Sequence, residues 1–550
     1  MKKIFSIILC TLFITGFSLT AGAQTDEFKA ARNLEIQYNI LRQLQANYVD
    51  TLDAGKLVKT GIDAMLHSID PYTVYIDEAD QENLQLMTTA TYGGIGATIK
   101  KVDSLGVIIA QPYEGSPAAE NGLEPGDIIL KIDGKDVKPL TAEQCSSRMK
   151  GQPGTKVEFL IRKARSGKTV KQVITRRRVH FPDVVYSGIT GGNIGYIDLS
   201  AFTVGGSRDV RDAVVKLKNE GAEGIILDLR GNGGGLLDEA VKIVSLFVPK
   251  GTLVVTSRGR IPGSIRYYKT DTEPLDTEIP LAVLVNSGTA SSSEIVSGSL
   301  QDLDRATIIG TRTFGKGLVQ SIVPVGYGGK LKVTTAKYYT PSGRCVQAID
   351  YSHRNPDGSV GSIPDSLKKP FKTMHGRTVY DGGGITPDTL IPSVKYSRPT
   401  MSLLYNDIFG DYARKFYAEH DSISLPENFA MTEKEYSDFV EYASARKFDS
   451  RSAAQVALDD IIKDAKDENM YDLNKQEFEA LSKKLNISKT QMLRIKEKEF
   501  KPVLESEIVR AYYYNAGSAE FILRYDKQFA KALKCFREVI AKRNPDKPLE

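Results

Sequence analysis

A chain of 550 residues with 41% hydrophobic and 26% charged residues is too long for one compact domain and has an ordinary globular composition. Its formal net charge of +5 becomes +3 (5 − 2) without Lys2 and Lys3. This small excess argues against nucleic acid as a partner. After the first 23 residues, no stretch of the sequence is long and apolar enough to predict a membrane span.

The first 23 residues have the pattern of a secretory signal peptide. The two lysines precede an apolar stretch from residue 4 to residue 19, and Ala21-Gly22-Ala23 offers a small-residue cleavage site. A retained membrane anchor is the alternative, but the apolar stretch is shorter than the roughly 20 residues of a span. We therefore predict an exported protein, in the periplasm, or else secreted or membrane-associated.

The cysteines and histidines give no metal or redox motif. Removal of the signal peptide would leave Cys145, Cys345 and Cys535, an odd number at wide spacing with no C-x-x-C pair. We predict free cysteines, although the sequence leaves a single disulfide open. The chain contains no H-E-x-x-H, and no two histidines pair at helical spacing. The sequence predicts no metal ion and no organic cofactor.

Two regions precede the centre of the chain. Residues 24–90 are predicted as an N-terminal helical region, because apolar residues recur every three or four positions there. Residues 91–183 form a strand-rich unit. Its first strand follows a glycine loop, and a later helix begins at Thr141 with Gln144 in the capping-box position. The loop residues are Tyr92, Gly93, Gly94, Ile95 and Gly96.

Residues 184–395 alternate strands and helices, which favours an α/β layer structure with a largely parallel sheet. We predict a helix with Ser207 as its N-cap and Gly221 after its end. Residues 349–380 are polar and contain proline, so we predict a long loop or insertion there. Residues 396–550 are glycine-poor and charged, and they predict a helical C-terminal extension. The predicted strands are Ile194–Leu199, Gly224–Leu229, Leu281–Val285 and Ala306–Gly310.

A serine-rich segment follows the third of these strands. It reads N-S-G-T-A-S-S-S-E-I and ends at Ile295. A serine at the start of a helix lies beside unpaired N–H groups, which stabilise developing negative charge. Alternatively, Ser291 only caps the helix in a box with Glu294. Ser287, Ser292 and Ser293 are further candidates for a nucleophile.

Two more segments could complete an acyl-transfer site. Lys316 lies in T-F-G-K-G, with Gln320 four residues later, and a desolvated neutral lysine can accept a serine proton. The run L-D-L-R-G-N-G-G-G-L, which ends at Leu236, joins a strand to a helix, and its glycines can present N–H donors. A plain tight turn and an anion-binding loop in a ligand-binding α/β protein remain alternatives for this run.

Together these segments resemble the carboxyl-terminal processing proteases over residues 30–395. By this resemblance Ser291 is the nucleophile. Lys316 is the general base, 25 residues later (316 − 291), and Gln320 orients it. The resemblance also implies an oxyanion hole formed by backbone N–H groups, with Gly233, Gly234, Gly235 and Ser292 as the candidates. Thr289 and Ser292 differ from the residues usual in the family motif, but both changes exchange one small residue for another.

The resemblance also implies the fold and the partners. It implies a ClpP/crotonase-like α/β peptidase core with an inserted PDZ domain, in which residues 92–96 bind a peptide carboxylate. Thr340–Arg344 and Gly382–Asp388 also recur in this family near the end of the core. The expected protein is a serine endopeptidase acting on protein or peptide substrates with free C-termini, and a homodimer through the N-terminal helical region would suit the family. A catalytically silent PDZ adaptor is the alternative.

Overall fold

The computed structural model describes residues 27–78, 88–102, 105–355, 357–393 and 395–543, so the predicted signal peptide lies outside the described residues. The chain divides into two compact units. One contains the chain up to Glu78 together with Gln320–Thr334, and the other contains Ala79–Val319 and Thr335–Glu550. Within the described ranges, no helix has both the length and the apolar character to cross a membrane.

The first unit begins with two helices, α1 (27–47) and α2 (Ala54–His67). The Asp53 side chain caps α2 by accepting the Lys56 N–H at 3.0 Å. The strand β1 (Val74–Ile76) then pairs antiparallel with residues 330–332. Apolar side chains of α1 are exposed, and they include Leu34, Ile36, Ile40 and Leu44. These side chains therefore have little packing against the described residues.

The strand-rich unit is built around an antiparallel sheet in the order β3-β4-β5-β7-β8, so β3 is an edge strand. β2 and β9 form a separate antiparallel pair. In the sequence, β2 precedes and β9 follows the strands of this sheet. The predicted capping box at Thr141 is present: Thr141 N–H donates to Gln144 Oε1 at 2.9 Å, and Gln144 N–H donates to Thr141 Oγ1 at 3.1 Å. The elements are β2 (Thr91–Gly94), β3 (Ala97–Val102), β4 (Gly106–Pro112), α3 (Pro117–Glu120), β5 (Ile128–Ile132), β6 (Lys135–Asp136), α4 (Ala142–Met149), β7 (Lys156–Arg162), β8 (Thr169–Thr175) and β9 (Arg177–His180).

The α/β core is organised by a six-stranded sheet in the order β10-β11-β12-β15-β16-β23. β10 pairs antiparallel with β11, and the other neighbours are parallel, as the alternating pattern predicts. The elements up to β16 are β10 (Val184–Thr190), β11 (Ile194–Leu199), α5 (Gly206–Asn219), β12 (Gly224–Asp228), α6 (Leu237–Ser245), β13 (Leu253–Gly259), β14 (Arg266–Lys269), β15 (Leu281–Val285), α7 (Ser292–Asp302) and β16 (Thr307–Gly310). Helices α5, α6 and α7 bury apolar side chains in one core with these strands.

The prediction that Ser207 caps α5 is wrong. The N-cap is Gly205, whose φ of 98° lies in the left-handed region that glycine favours. The Ser207 N–H instead donates to Glu239 Oε2 at 2.9 Å. A partner 32 residues away in the sequence therefore takes this N–H, and local patterning does not reveal such a contact.

Two short hairpins form over residues 349–380, where the sequence predicts a long loop or insertion. β19 pairs with β20, and β21 pairs with β22, all antiparallel. Asp357-Gly358 occupies the first turn, where Gly358 N–H donates to the Asn355 carbonyl at 2.8 Å. The remaining strands of the core are β17 (Leu318–Gly326), β18 (Gly329–Tyr339), β19 (Ile349–Arg354), β20 (Val360–Ser362), β21 (Pro370–Lys372), β22 (Thr378–Tyr380) and β23 (Thr389–Leu390).

The C-terminal region is helical, as predicted. Its own core is rich in aromatic rings from α9, α10 and α14. The last helix, α15, packs Phe529, Ala532, Phe536 and Ile540 against one face of the six-stranded sheet. The helices are α8 (Arg398–Tyr405), α9 (Ile408–Glu419), α10 (Glu433–Ser444), α11 (Ala453–Asp467), α12 (Lys475–Leu485), α13 (Lys489–Ile495), α14 (Glu497–Leu523) and α15 (Lys527–Arg543).

Helix α9 and the residues after it also contact the strand-rich unit. The Arg165 guanidinium lies over the Tyr417 ring at 4.2 Å and donates to the His420 carbonyl at 3.0 Å. On β3, Lys100 forms an ion pair with Asp407 at 2.5 Å. The C-terminal helices therefore contact both the α/β core and the strand-rich unit.

Candidate active site

Ser291 lies at a sharp turn between β15 and α7. Its φ of 57° and ψ of −118° are unusual for a residue other than glycine, so the surrounding contacts must hold it there. The Ser291 N–H donates to Glu294 Oε2 at 2.9 Å, and the Glu294 N–H donates to the Ser291 carbonyl at 2.8 Å. Ser291 is thus the N-cap of α7, and the Glu294 carboxylate completes a capping box with it, as the sequence predicts.

The two neighbouring serines use their hydroxyls for structure. Ser292 is 1% exposed and donates to the Gly235 carbonyl at 2.9 Å. Ser293 is 0% exposed and donates to the Asn232 carbonyl at 2.9 Å. Ser291, in contrast, is only partly buried. These contacts favour Ser291 over its neighbours as the predicted nucleophile.

The buried carboxylate of Glu294 joins the Ser291 turn to the Lys316 loop. Its Oε2 accepts the N–H of Ser291 at 2.9 Å and the N–H of Lys316 at 2.8 Å. Its Oε1 accepts the Gly315 N–H at 2.7 Å and the Thr313 hydroxyl at 2.6 Å. Burial raises the pKa of Glu294, and these hydrogen bonds oppose that rise.

Tyr338 contacts the same two residues through their carbonyl groups. Its hydroxyl lies 2.7 Å from the Lys316 carbonyl oxygen and 3.0 Å from the Ser291 carbonyl oxygen. The side chain is 1% exposed, and burial, with the Glu294 charge second, raises its pKa well above the usual value. The Tyr338 hydroxyl therefore remains a hydrogen-bond donor.

Several further contacts fix the backbone around Lys316. The Phe314 N–H donates to the Thr289 carbonyl at 2.9 Å, and the Gly317 N–H donates to Gln347 Oε1 at 2.7 Å. Lys316 itself is partly buried. Gln320, its predicted orienting partner, lies on β17 in the other compact unit, where its Nε2 donates to Thr334 Oγ1 at 3.3 Å.

The glycine-rich run passes directly beside Ser291. Gly234 has a φ of 97°, and a Cβ added to it would stand 2.8 Å from the Ser291 Cβ and 2.9 Å from the Ser292 nitrogen. Its N–H donates to Asn232 Oδ1 at 2.9 Å. Because this donor is used, Gly233, Gly235 and Ser292 are the stronger candidates among the predicted oxyanion donors. A Cβ on Gly235 would stand 2.2 Å from the Phe202 carbonyl oxygen.

The two other family-like segments brace the end of the core. Arg344, from T-P-S-G-R, is 1% exposed and pairs with Asp302 of α7 at 2.7 Å. Asp388, from G-G-G-I-T-P-D, accepts Gln301 Nε2 at 2.9 Å and the Ile308 N–H at 2.8 Å. Both segments therefore hold the C-terminal end of the helix that begins beside Ser291.

Three residues that hold this site by hydrogen bonds were not identified from the sequence: Asn232, Tyr338 and Gln347. Asn232 stands inside the glycine-rich run, where an amide able to bond the backbone was a usable signal. Tyr338 and Gln347 contact residues that are 47 and 30 positions away. No local pattern reveals contacts at that separation.

The predicted peptide-binding loop is part strand and part turn. Tyr92, Gly93 and Gly94 belong to β2, whereas Ile95 and Gly96 form the turn into the edge strand β3. Burial raises the pKa of Tyr92 to about 12, and the N–H groups of Gly96 and Ala97 oppose that rise. A cavity of about 340 Å³ beside the loop is lined by Tyr92, Gly93, Gly151 and Arg178, among others.

The described residues contain no group of three or more histidine, cysteine or acidic side chains placed to hold a metal ion. The three cysteines of the described part of the chain are free, with Cys145 buried and Cys345 and Cys535 partly buried. Burial raises the pKa of both Cys145 and Cys345.

Three parts of the chain match known protein families. Residues 193–357 match peptidase family S41, and residues 108–163 match the PDZ domain. Residues 399–536 match the C-terminal helical domain of a probable PDZ-protease. The helical region, for which the sequence resemblance supplied no motif, therefore has a family of its own.

Two relatives of known sequence agree with these matches. A carboxy-terminal-processing protease of Bartonella bacilliformis is 36% identical over 343 residues, which cover 62% of this chain and 77% of the relative. Carboxy-terminal processing protease CtpA of Bacillus subtilis is 34% identical over 382 residues, which cover 67% and 79%. The solved photosystem II D1 C-terminal processing protease is 26% identical, with a TM-score of 0.34 and coverage of 64% and 92%. The chain belongs to the carboxy-terminal processing proteases of peptidase family S41, and it is a serine-type peptidase with a PDZ domain.

Proposed function

We propose that the protein is an exported serine endopeptidase that binds the C-terminal tail of a protein substrate and cleaves it with Ser291 and Lys316. The family assignment disfavours the catalytically silent adaptor that the sequence left open. Periplasmic location rests on the signal-peptide pattern of the first 23 residues. No metal ion or organic cofactor takes part in the proposed reaction.

The observation that carries the proposal is the shared contact with Glu294. The N–H groups of Ser291 and Lys316 donate to the same carboxylate oxygen, at 2.9 and 2.8 Å. Two N–H groups on one oxygen place the two backbones within a few ångströms of each other. A serine and a lysine so placed are the two groups that Ser-Lys acyl transfer requires.

In the proposed reaction, neutral Lys316 removes the proton of the Ser291 hydroxyl, and the resulting alkoxide attacks the scissile carbonyl. Lysine then gives this proton to the leaving amine, so that an acyl-enzyme and a free peptide remain. Lys316 next takes a proton from water, and the hydroxide formed attacks the acyl carbonyl. The Ser291–acyl bond then breaks, the second peptide leaves, and Lys316 returns its proton to the Ser291 oxygen.

Backbone N–H groups stabilise the tetrahedral intermediates in this proposal. Ser292 is the first residue of α7, where N–H groups have no partner within the helix. The helix dipole favours negative charge at the same position. Gly233 or Gly235 supplies the second donor, because the Gly234 N–H already donates to Asn232. Such donors commonly contribute about 100- to 1000-fold each to turnover.

The PDZ domain is proposed to capture the substrate tail by strand addition. β3 is an edge strand with β4 as its one neighbour in the sheet order, so its other edge can pair with an extended peptide. The turn at Ile95 and Gly96 directly precedes this edge, where a terminal carboxylate would be held. This arrangement predicts that a free C-terminal carboxylate is required for tight binding.

The catalytic proposal is tested by turnover of a fluorogenic peptide that ends in free apolar residues. Ser291→Ala and Lys316→Ala should each lose at least about 1000-fold in kcat. Lys337→Ala is the control, because Lys337 is an exposed lysine on β18. Near-normal turnover by either variant would overturn the proposed dyad. Loss in Ser293→Ala combined with full activity in Ser291→Ala would reassign the nucleophile.

Tail capture is tested by calorimetry on the Ser291→Ala protein with one peptide in two forms. The free-acid peptide should bind at least about tenfold more tightly than its C-terminal amide, because the amide removes the charge that the N–H groups hold. Equal affinities would contradict carboxylate recognition while leaving the catalytic proposal intact.

A further inference from the structure

Two buried side chains hold the Ser291 and Lys316 backbones from different sides. Glu294 accepts their N–H groups, and the Tyr338 hydroxyl reaches their carbonyl oxygens at 3.0 and 2.7 Å. The sequence separation between Ser291 and Lys316 is 25 residues (316 − 291), so nothing local sets the spacing between them. Glu294 and Tyr338 each bridge both residues directly through hydrogen bonds.

Tyr338 is itself held firmly. It lies near the end of β18, where it pairs with Ser257 of β13 in the antiparallel register. Its N–H donates to the Gly317 carbonyl at 3.0 Å, and its side chain is packed in the apolar core below the sheet. The position of the hydroxyl is therefore set by strand pairing and by packing in the apolar core.

The chemistry of the contact suits a linker between two backbones. One hydroxyl proton is shared between two carbonyl oxygens, so the bond weakens if either carbonyl moves away. Burial keeps the hydroxyl protonated, with its pKa raised well above the usual value. The Tyr338 hydroxyl contacts the carbonyl oxygens and not the side chains of Ser291 and Lys316.

We propose that Tyr338 is a positioning residue, whose hydroxyl links the Ser291 carbonyl to the Lys316 carbonyl and so sets the distance between the nucleophile and the base. This inference rests on the proposed Ser291–Lys316 dyad. A misplacement of about 1 Å at a reacting group can cost about 100-fold in rate. Loss of the hydroxyl should therefore slow the chemical step more than it weakens substrate binding.

The test is Tyr338→Phe, compared with Tyr339→Phe as the matched control. Tyr339 is the adjacent residue, and it also lies on β18. In the peptide assay, Tyr338→Phe should lower kcat at least about tenfold, which corresponds to about 1.4 kcal/mol of barrier, and change KM less than about twofold. Labelling of Ser291 by a fluorophosphonate should slow by a similar factor. Tyr339→Phe should stay within about twofold of the wild type in both assays.

A rescue experiment separates positioning from general damage. 4-Aminophenylalanine at position 338 retains an N–H donor at the place of the hydroxyl, so it should recover most of the kcat that phenylalanine loses. If the phenylalanine variant does not fold, the 4-aminophenylalanine variant still tests the proposal. It should turn over peptide at a rate near that of the wild type.

Each outcome decides the proposal. A Tyr338→Phe kcat within twofold of the wild type overturns it, as does an equal loss in Tyr339→Phe or a folded 4-aminophenylalanine variant that stays inactive. The Ser291→Ala and Lys316→Ala proteins are measured in the same assay. Full activity in either of these two proteins would contradict the Ser291–Lys316 dyad itself. If both are inactive and Tyr338→Phe is fully active, only the role of Tyr338 is contradicted.

Discussion

Gly234 lies so close to Ser291 that a Cβ added to the glycine would stand 2.8 Å from the Ser291 Cβ. Real Cβ atoms essentially never approach another heavy atom to less than 3.0 Å. The glycine therefore permits the contact between the glycine-rich run and the serine turn. Its φ of 97° also lies in the region that glycine favours.

Substitution of Gly234 by alanine should therefore damage the site more than the fold. We expect Gly234→Ala to lower kcat at least about 100-fold, because the new methyl group displaces Ser291 or the Ser292 N–H. Gly231→Ala is the matched control. It has a φ of 73° in the same run, and its added Cβ would meet nothing within 4 Å. Equal kcat losses in the two variants would show that the backbone angle, and not the contact, matters.

A second prediction concerns the effect of pH on the stability of the protein through Asp198. Asp198 on β11 lies opposite Asp228 on β12 and lines a cavity of about 690 Å³. Burial, reinforced by the Asp228 charge, raises the pKa of Asp198 to about 6 from 3.8. The folded state therefore holds a proton that the unfolded state releases between about pH 4 and pH 6. This group makes the protein less stable as pH rises through that window, by at most about 3 kcal/mol.

Urea unfolding at pH 4.5 and pH 7.5 tests this sign. Asp198→Asn has no such proton to lose, so its stability relative to the wild type should increase from the lower to the higher pH. Asp212→Asn, at an exposed position on α5, controls for the removal of one carboxyl group. A relative stability of Asp198→Asn that is the same at both pH values would refute the assignment.

A third prediction concerns the contact between the PDZ domain and the C-terminal helices. Arg165 stacks on Tyr417 and donates to the His420 carbonyl and to Asp421 Oδ1 at 2.9 Å. Arg165→Ala removes a cation–π contact and two charge-assisted hydrogen bonds. We expect amide hydrogen exchange to rise about tenfold at the C-terminal end of α9. Arg162→Ala, which removes an exposed arginine of β7, should leave this exchange unchanged.

A fourth prediction concerns assembly through α1. Ile36, Ile40 and Leu44 are exposed at helical spacing and line one groove. This exposed apolar surface suits the homodimer that the sequence resemblance implies. Ile40→Asp should convert a dimer to a monomer in light scattering at micromolar concentration. Arg42→Asp, on another side of the helix, should remain dimeric. A wild-type protein that is monomeric at every concentration measured would contradict the dimer.

How far the sequence predicts this molecule depends on where each contact partner lies. The strands Ile194–Leu199 and Leu281–Val285 have the predicted bounds. The second is a continuous apolar run, which is typical of a buried parallel strand. The short strands after residue 349 have few apolar residues and carry no such signal. Ser207 was misplaced because a distant glutamate binds its N–H.

The site divides in the same way. Ser291, Lys316 and Gly234 stand in short motifs whose residue types suggest chemistry, and the structure brings their backbones together through Glu294 and direct packing. The contribution of Tyr338 could not be predicted, because a tyrosine in a strand looks like any core residue until its neighbours are known. The reacting groups are thus easier to identify from the sequence than the groups that hold them in place.

The packing of α15 has a consequence for how the protein is made. The sheet face that this helix covers is formed by strands between residues 194 and 391, whereas the covering side chains extend to Ile540. During synthesis the strands leave the ribosome well over a hundred residues before the helix that covers them. One apolar face of the sheet is therefore exposed until α15 has been made. A chain truncated before residue 529 would keep this apolar face exposed and would be prone to aggregate with other copies of itself.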